Sequence, residues 1–173
     1  LYPIRVFKTI GLFDSQLVRN QDDDFNYRIH VAGGKIYYEH SISLRYFVRS
    51  SFKNVSKQFY QYGYWKVFVN KKHQAVTTWR QLVPPLFLLY LFSLPFVIFL
   101  SPLDLYYSIP AMLYIALNII TSCSEIPHLK KIIFTSYTYL MLHISYGMGY
   151  LHGLFRFIIL RKIPEKSQTE LTR

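Results

Sequence analysis

An acidic triplet near the amino end of the chain is the segment best suited to acid–base chemistry. Asp22, Asp23 and Asp24 are consecutive and precede an apolar run that begins at Phe25. Carboxylates at the amino end of a helix are stabilised by its dipole and its free amide groups, so the pattern predicts a short helix over 22–32. A carboxylate held there can take a proton from a substrate hydroxyl. Ordinary capping acids in solvent produce the same pattern, so the triplet alone does not define a function.

The elements around this triplet follow from periodicity and from turn residues. Residues 4–13 predict a helix that stops near Gly11, and 35–48, rich in Ile, Tyr, Phe and Val, predict one or two strands. Ser50 or Ser51 then predicts the cap of a helix, because apolar residues follow it at helical spacing.

Long apolar runs make up most of the chain beyond residue 80. Residues 82–103 contain no charge in 22 positions, and 105–124 contain none in 20. Each run meets the ~20 residues that a helix needs to cross a bilayer, which predicts a transmembrane hairpin over 82–124 that turns around Pro102. A third uncharged run begins at Ile132 and has a polar aromatic face, which predicts an embedded or interfacial helix over 132–160.

Charge favours a membrane surface as the partner over nucleic acid. The net charge is +11, from 20 Lys and Arg against 9 Asp and Glu. Many of the basic residues flank the apolar runs: Lys66, Lys71, Lys72, Arg80, Lys130, Lys131, Arg161 and Lys162. By the positive-inside rule, the amino-terminal part, the loop 125–131 and the tail 161–173 are expected in the cytoplasm. The single Cys123 excludes an internal disulfide, and the six His form no spaced metal motif.

Four segments occur in an order that resembles a known enzyme family. They are Gly11-Leu12-Phe13-Asp14, the acidic helix that ends in Arg28, Ala32 to Tyr38, and Gln58 to Trp65. Together they resemble family-two glycosyltransferases of the GT-A fold, especially bacterial exopolysaccharide enzymes of the succinoglycan-biosynthesis type; residues 143–150 also look like the membrane segment of that group. The resemblance implies an α+β carboxyl-terminal fragment of a GT-A domain over 1–80, α-helical transmembrane segments over 81–160, and a basic tail over 161–173.

The resemblance also implies roles for individual residues. In that family a Glu-Asp pair opens the helix, and its Asp is the general base toward the acceptor hydroxyl. Aligned on Arg28, the pair falls on Gln21 and Asp22, so Asp22 is the candidate base and Gln21 departs from the usual Glu. Asp24 matches a second acid with a structural or positioning role, and Arg28 belongs to the same positioning set.

Two further resemblances concern the acceptor and a metal. Related processive enzymes carry Gln-x-x-Arg-Trp, which Gln61, Tyr64 and Trp65 match except that Tyr replaces Arg. Gln61 and Trp65 are therefore candidate acceptor-binding residues, and the missing Arg argues against processive synthesis; an interfacial aromatic helix is the alternative. His40 is a candidate metal ligand, because some of these enzymes use a His after the strands that follow the helix.

The implied function is a membrane-bound transfer of sugar from a nucleotide-sugar donor to a lipid-linked or saccharide acceptor. The expected setting is the cytoplasmic face of a bacterial inner membrane, with membrane lipids and no nucleic acid as partners. The family's Mg²⁺ or Mn²⁺ is held by an Asp-x-Asp motif that precedes this region and is absent from residues 1–20, so this chain alone is expected to be inactive. The alternative is a non-catalytic membrane anchor or subunit of a split or decayed transferase.

Overall fold

The structure is a computed structural model, and it describes residues 2–45, 47, 49, 51–100, 104–125 and 128–164. Six α-helices account for most of these residues: α1 (Ile4–Ile10), α2 (Gln21–Val31), α3 (Phe52–His73), α4 (Val83–Leu100), α5 (Asp104–Glu125) and α6 (Leu129–Gly153). A 3₁₀ turn (Trp79–Leu82) leads into α4, and a π-helical turn (Leu154–Ile159) follows α6.

The two amino-terminal helices begin and end close to where the sequence predicts. Helix α1 stops at Gly11, whose φ of 86° is a conformation that L side chains rarely adopt. Helix α2 carries its three acids in its first turn. The rings of Tyr2, Phe7, Phe13 and Phe25 pack against one another and hold α1 against α2.

The predicted strands over 35–48 are wrong, and with them the α+β GT-A fold class. The described residues contain helices and turns but no strand. Tyr37, Tyr38 and Leu44 are almost fully exposed, and residues 46 and 48 lie outside the described part. Alternation becomes a strand only when a neighbouring strand pairs its backbone N–H and C=O groups, and no described segment provides that ladder.

Helices α3 and α6 pack against each other along a seam of glycines. A Cβ added at Gly63 would collide with the carbonyl of Tyr146, and one at Gly149 would collide with the carbonyl of Tyr60. A Cβ at Gly153 would lie 2.8 Å from the Tyr64 carbonyl oxygen. The two backbones can therefore approach this closely only because these positions lack side chains.

Cap and hydroxyl contacts support this helix pair. Ser51 caps α3 by accepting a hydrogen bond from the Asn54 amide, as the sequence predicts. The hydroxyls of Ser56 and Ser145 are 2.8 Å apart across the seam. The seam therefore joins α3, within the segment predicted as catalytic, to α6, within the segment predicted as membrane-embedded.

Helices α4 and α5 form the predicted hairpin, although its turn at 101–103 lies outside the described residues. The segments Trp79–Leu100 and Tyr106–Ser124 are long and apolar enough to cross a membrane, by length and composition. Their side chains are mostly exposed, including Phe92, Phe96 and Ile120. Helix α6 contacts both of them and also contacts α3. It therefore links the apolar hairpin to the rest of the chain.

Candidate functional site

A polar groove of about 460 Å³ lies where the amino end of α2 meets α3, α4 and α6. Its lining comes from the amino end of α2, the middle of α3, the α3–α4 connection and α6. The lining residues are Asn20, Asp22, Asp23, Tyr62, Lys66, Thr78, Arg80, Gln81, Pro84 and Tyr146.

The amino end of α2 is fixed by contacts that leave one carboxylate free. Asn20 adopts a left-handed conformation with φ of 62°, and its amide donates a hydrogen bond to the Tyr62 carbonyl at 3.3 Å. Gln21 folds back and donates to the Leu17 carbonyl at 2.6 Å. Asp22 is exposed, lines the groove, and makes no hydrogen bond or ion pair with any described residue. Its carboxylate is thus available to a ligand.

The negative charge of Asp23, the next acid along α2, is balanced by a lysine of α3. The Asp23 carboxylate lies 2.8 Å from the Nζ of Lys66, which extends from α3. Lys66 is buried, whereas the side chain of Asp23 is 47% exposed. This pair ties α2 to α3 across one wall of the groove and leaves little uncompensated charge there.

Asp24 points away from the groove into a buried ion cluster. One carboxylate oxygen lies 2.8 Å from both Lys72 Nζ and His73 Nε2, and the other lies 3.0 Å from Arg28. Lys72 also lies 2.7 Å from Asp14. Burial raises the pKa of Asp24, but hydrogen bonds from Lys72 and His73 and the charges of Lys72 and Arg28 outweigh it, so this pKa lies below its ordinary value. The cluster joins α2 to the carboxyl end of α3.

Arg28 connects the same part of α2 to the end of α1. Its guanidinium donates to the carbonyls of Ile10 and Leu12 at 2.7 and 2.8 Å, in addition to its bond with Asp24. It thereby fastens the end of α1 to α2. The structure places Asp24 and Arg28 behind the groove, where they hold the helix that carries Asp22.

The two candidate acceptor-binding residues of α3 do not line the groove. Trp65 is 1% exposed and lies in the hydrophobic core with Val67 and Phe157, among others. Tyr64, which stands in the Arg position of the motif, packs its ring against Phe157 at 4.7 Å. Gln61 accepts a hydrogen bond from Arg19 at 3.2 Å. In this structure the Trp65 ring serves packing, and its face is not accessible to a sugar.

Asp22 alone among the lining residues was predicted as a site residue, and Arg80 and Gln81 are two of those that the sequence-based prediction did not assign to the site. Arg80 is exposed, whereas Gln81 is buried, and both lie in the short connection that leads from α3 into α4. Gln81 accepts a hydrogen bond from the Asn70 side chain at 3.0 Å. The available signal was a polar pair directly before a long uncharged run.

The candidate metal ligand His40 lies apart from the groove. His40 is almost fully exposed on the surface, 3.5 Å from Glu39, and is not among the groove residues. No three His, Cys, Asp or Glu side chains are grouped as a metal ion would require in the part of the chain that the structure describes.

Comparison with known proteins gives one partial similarity. The chain is 30% identical over 84 residues to the succinoglycan biosynthesis protein ExoA of Rhizobium meliloti (strain 1021). The similar region is 49% of this chain but 26% of that protein, so the chain spans about a quarter of its relative's length. No protein-family model matches the chain, and no solved structure matches it. The chain is therefore similar, over about half its length, to a protein of bacterial polysaccharide biosynthesis.

Proposed function

We propose that this chain is the acceptor side and membrane anchor of an inverting, family-two type glycosyltransferase of bacterial polysaccharide biosynthesis. The observation that carries the proposal is Asp22, a carboxylate at the amino end of a helix that has no partner in the part of the chain that the structure describes and lies in a polar groove beside an apolar hairpin. The similarity to a succinoglycan biosynthesis protein supports the same class of reaction.

In the proposed reaction Asp22 is the general base. A hydroxyl of the acceptor lies against the Asp22 carboxylate, which takes its proton as the hydroxyl oxygen attacks the anomeric carbon of the donor sugar. The bond from that carbon to the nucleoside diphosphate breaks, and the diphosphate leaves with the electron pair. Because attack and departure are on opposite faces, the anomeric configuration inverts.

The surrounding groove residues supply contacts suited to a polyhydroxylated acceptor. Asn20, Tyr62, Gln81 and Tyr146 offer amide and hydroxyl groups along its walls. The donor is a nucleotide sugar, the acceptor is a lipid-linked or free saccharide, and the proposed location is the cytoplasmic face of the bacterial inner membrane. The divalent cation implied by the resemblance belongs to residues outside those described, and no step of this reaction is assigned to it.

Replacement of Asp22 by Asn in the complete transferase tests the proposal. The substitution keeps the size of the side chain and removes the base, so we expect the transfer rate to fall by about 10²–10⁴-fold. Membrane insertion and the KM for the acceptor should change little. Glu39→Gln, which neutralises a partly exposed carboxylate outside the groove, is the matched control and should retain full activity.

Transfer by Asp22→Asn within about threefold of the parent would show that Asp22 is only a capping acid. If the parent transferase instead keeps its activity when this whole chain is deleted, the chain is a non-catalytic anchor.

A further inference from the structure

Gln81 carries a buried hydrogen-bond donor that has no acceptor among the described residues. The residue is 6% exposed and lines the groove, and its Nε2 has no partner among the described residues. A buried amide N–H without an acceptor is costly, and such groups in native proteins are usually paired with protein, water or a ligand. Its position in the groove makes a ligand oxygen a natural acceptor.

The orientation of this amide is set by a network that spans α3 and α6. The amide of Thr77 donates to Asn70 Oδ1 at 3.4 Å, which identifies the other terminal atom of Asn70 as the donor Nδ2. Asn70 Nδ2 then donates to Gln81 Oε1 at 3.0 Å and to the Tyr150 hydroxyl at 3.2 Å. The remaining terminal atom of Gln81 must therefore be the NH₂ group. The unpaired atom is a donor held in place before any ligand arrives.

The charges of the groove favour an uncharged ligand over an anion. Its lining contains two carboxylates, Asp22 and Asp23, and two cations, Lys66 and Arg80. Lys66 is already paired with Asp23 at 2.8 Å, so the groove presents no excess of positive charge for a phosphate. Amide and hydroxyl groups beside a carboxylate are instead suited to the hydroxyls of a saccharide.

We infer that Gln81 is a substrate-binding residue whose Nε2 donates a hydrogen bond to an oxygen of an uncharged saccharide in this groove. The inference rests on the proposed function, since it identifies a contact within the acceptor site. It assigns the binding contact to the α3–α4 connection rather than to Trp65, whose ring is buried. Asp22 activates the acceptor, and Gln81 orients it.

Direct binding to the 173-residue chain in phospholipid nanodiscs tests this assignment without sugar detergents. Methyl β-glucoside and methyl β-galactoside are the saccharide probes, inorganic phosphate is the competing anion, and saturation-transfer NMR reports binding. We expect Gln81→Met to weaken saccharide binding about 3- to 10-fold, as the loss of one hydrogen bond implies. Gln16→Met, which replaces an exposed amide outside the groove, is the control and should bind as the parent does. Phosphate should not compete.

The thermal unfolding midpoint separates binding from structure. Gln81→Met removes the unpaired Nε2 donor but also the Oε1 that accepts from Asn70. These two effects oppose each other, so its midpoint without ligand should lie close to that of the parent, and the shorter Gln81→Leu should behave alike. A lower midpoint with unchanged binding would make Gln81 structural and overturn the inference, as would unfolding of both variants. Competition by phosphate, or no saccharide binding to the parent, would also overturn it. The proposed function is tested separately, by the transfer rate of the Asp22→Asn variant.

Discussion

Replacement of Asp24 by Asn should destabilise this protein far more than the same change at Asp23. Asp24 is the shared acceptor of Lys72, His73 and Arg28, whereas Asp23, among the described residues, pairs with Lys66 alone. Asn keeps the shape of the side chain but removes the charge that these partners surround. The two substitutions differ by one position on the same helix turn, so they form a matched pair.

The size of the effect follows from burial. Removal of one member of a buried ion pair costs about 3–5 kcal/mol, because the remaining charge is left without compensation. The Asp24 side chain is 0% exposed, but Arg28 and Lys72 are 21% and 34% exposed and can be partly solvated. We therefore expect a loss of about 3 kcal/mol for Asp24→Asn. Asp23 is 47% exposed, so Asp23→Asn should cost about 0–1 kcal/mol.

The free energy of unfolding can be measured in mixed micelles, with the fluorescence of buried Trp65 as a reporter. The pKa of folded Asp24 lies below its ordinary value of 3.8, so its contribution is full above that value and is lost as the pH falls through the lowered pKa. The difference between parent and Asp24→Asn should therefore be constant from pH 5 to pH 7 and narrow only below about pH 4. Two results would refute this explanation of the Asp24 cluster. One is an equal loss of unfolding free energy in Asp23→Asn and Asp24→Asn; the other is a difference between parent and Asp24→Asn that already narrows near pH 6.

Three further outcomes are expected. Gly149→Ala should lower the free energy of unfolding by about 1–3 kcal/mol despite the higher helix propensity of Ala, because its methyl group would meet a carbonyl of α3; stability equal to the parent would contradict the seam. Trp65→Ala should cost about 3–5 kcal/mol, and Trp65→Phe should leave the acceptor KM unchanged, which enzyme assays on both variants can check. In a variant without Cys123, a cysteine at position 103 should be labelled from outside the cell and one at position 130 only from inside; labelling of 130 from outside would overturn the topology.

Features that depend on local chemistry could be predicted from the sequence. The cap at Ser51, the stop at Gly11 and the acids in the first turn of α2 each involve groups a few residues apart. The hairpin followed from uncharged runs whose length matches a bilayer. These predictions hold because each feature is stabilised by its own local residues and needs no partner that is distant in sequence.

Features that depend on distant partners were missed. The segment 35–48 has the composition of a strand, but a strand also needs a second strand beside it, which local alternation does not reveal. Trp65 has the spacing of a binding motif, yet its environment is decided by Tyr150 and Phe157, which are more than eighty residues away in sequence. Gln81 enters the site because α3, α4 and α6 converge around it.

The glycine seam between α3 and α6 has a consequence for how relatives of this chain can diverge. At Gly63, Gly149 and Gly153 the space for a side chain is already filled by backbone of the facing helix. A larger residue at one position would push the helices apart along their whole length and relieve the constraint at the other two. The three positions should therefore change together: relatives keep all three glycines, or lose them as a set and separate the helices. An alignment of relatives would reveal this as coupled variation, and a relative with one bulky residue and two retained glycines should have a displaced α6 and an altered groove.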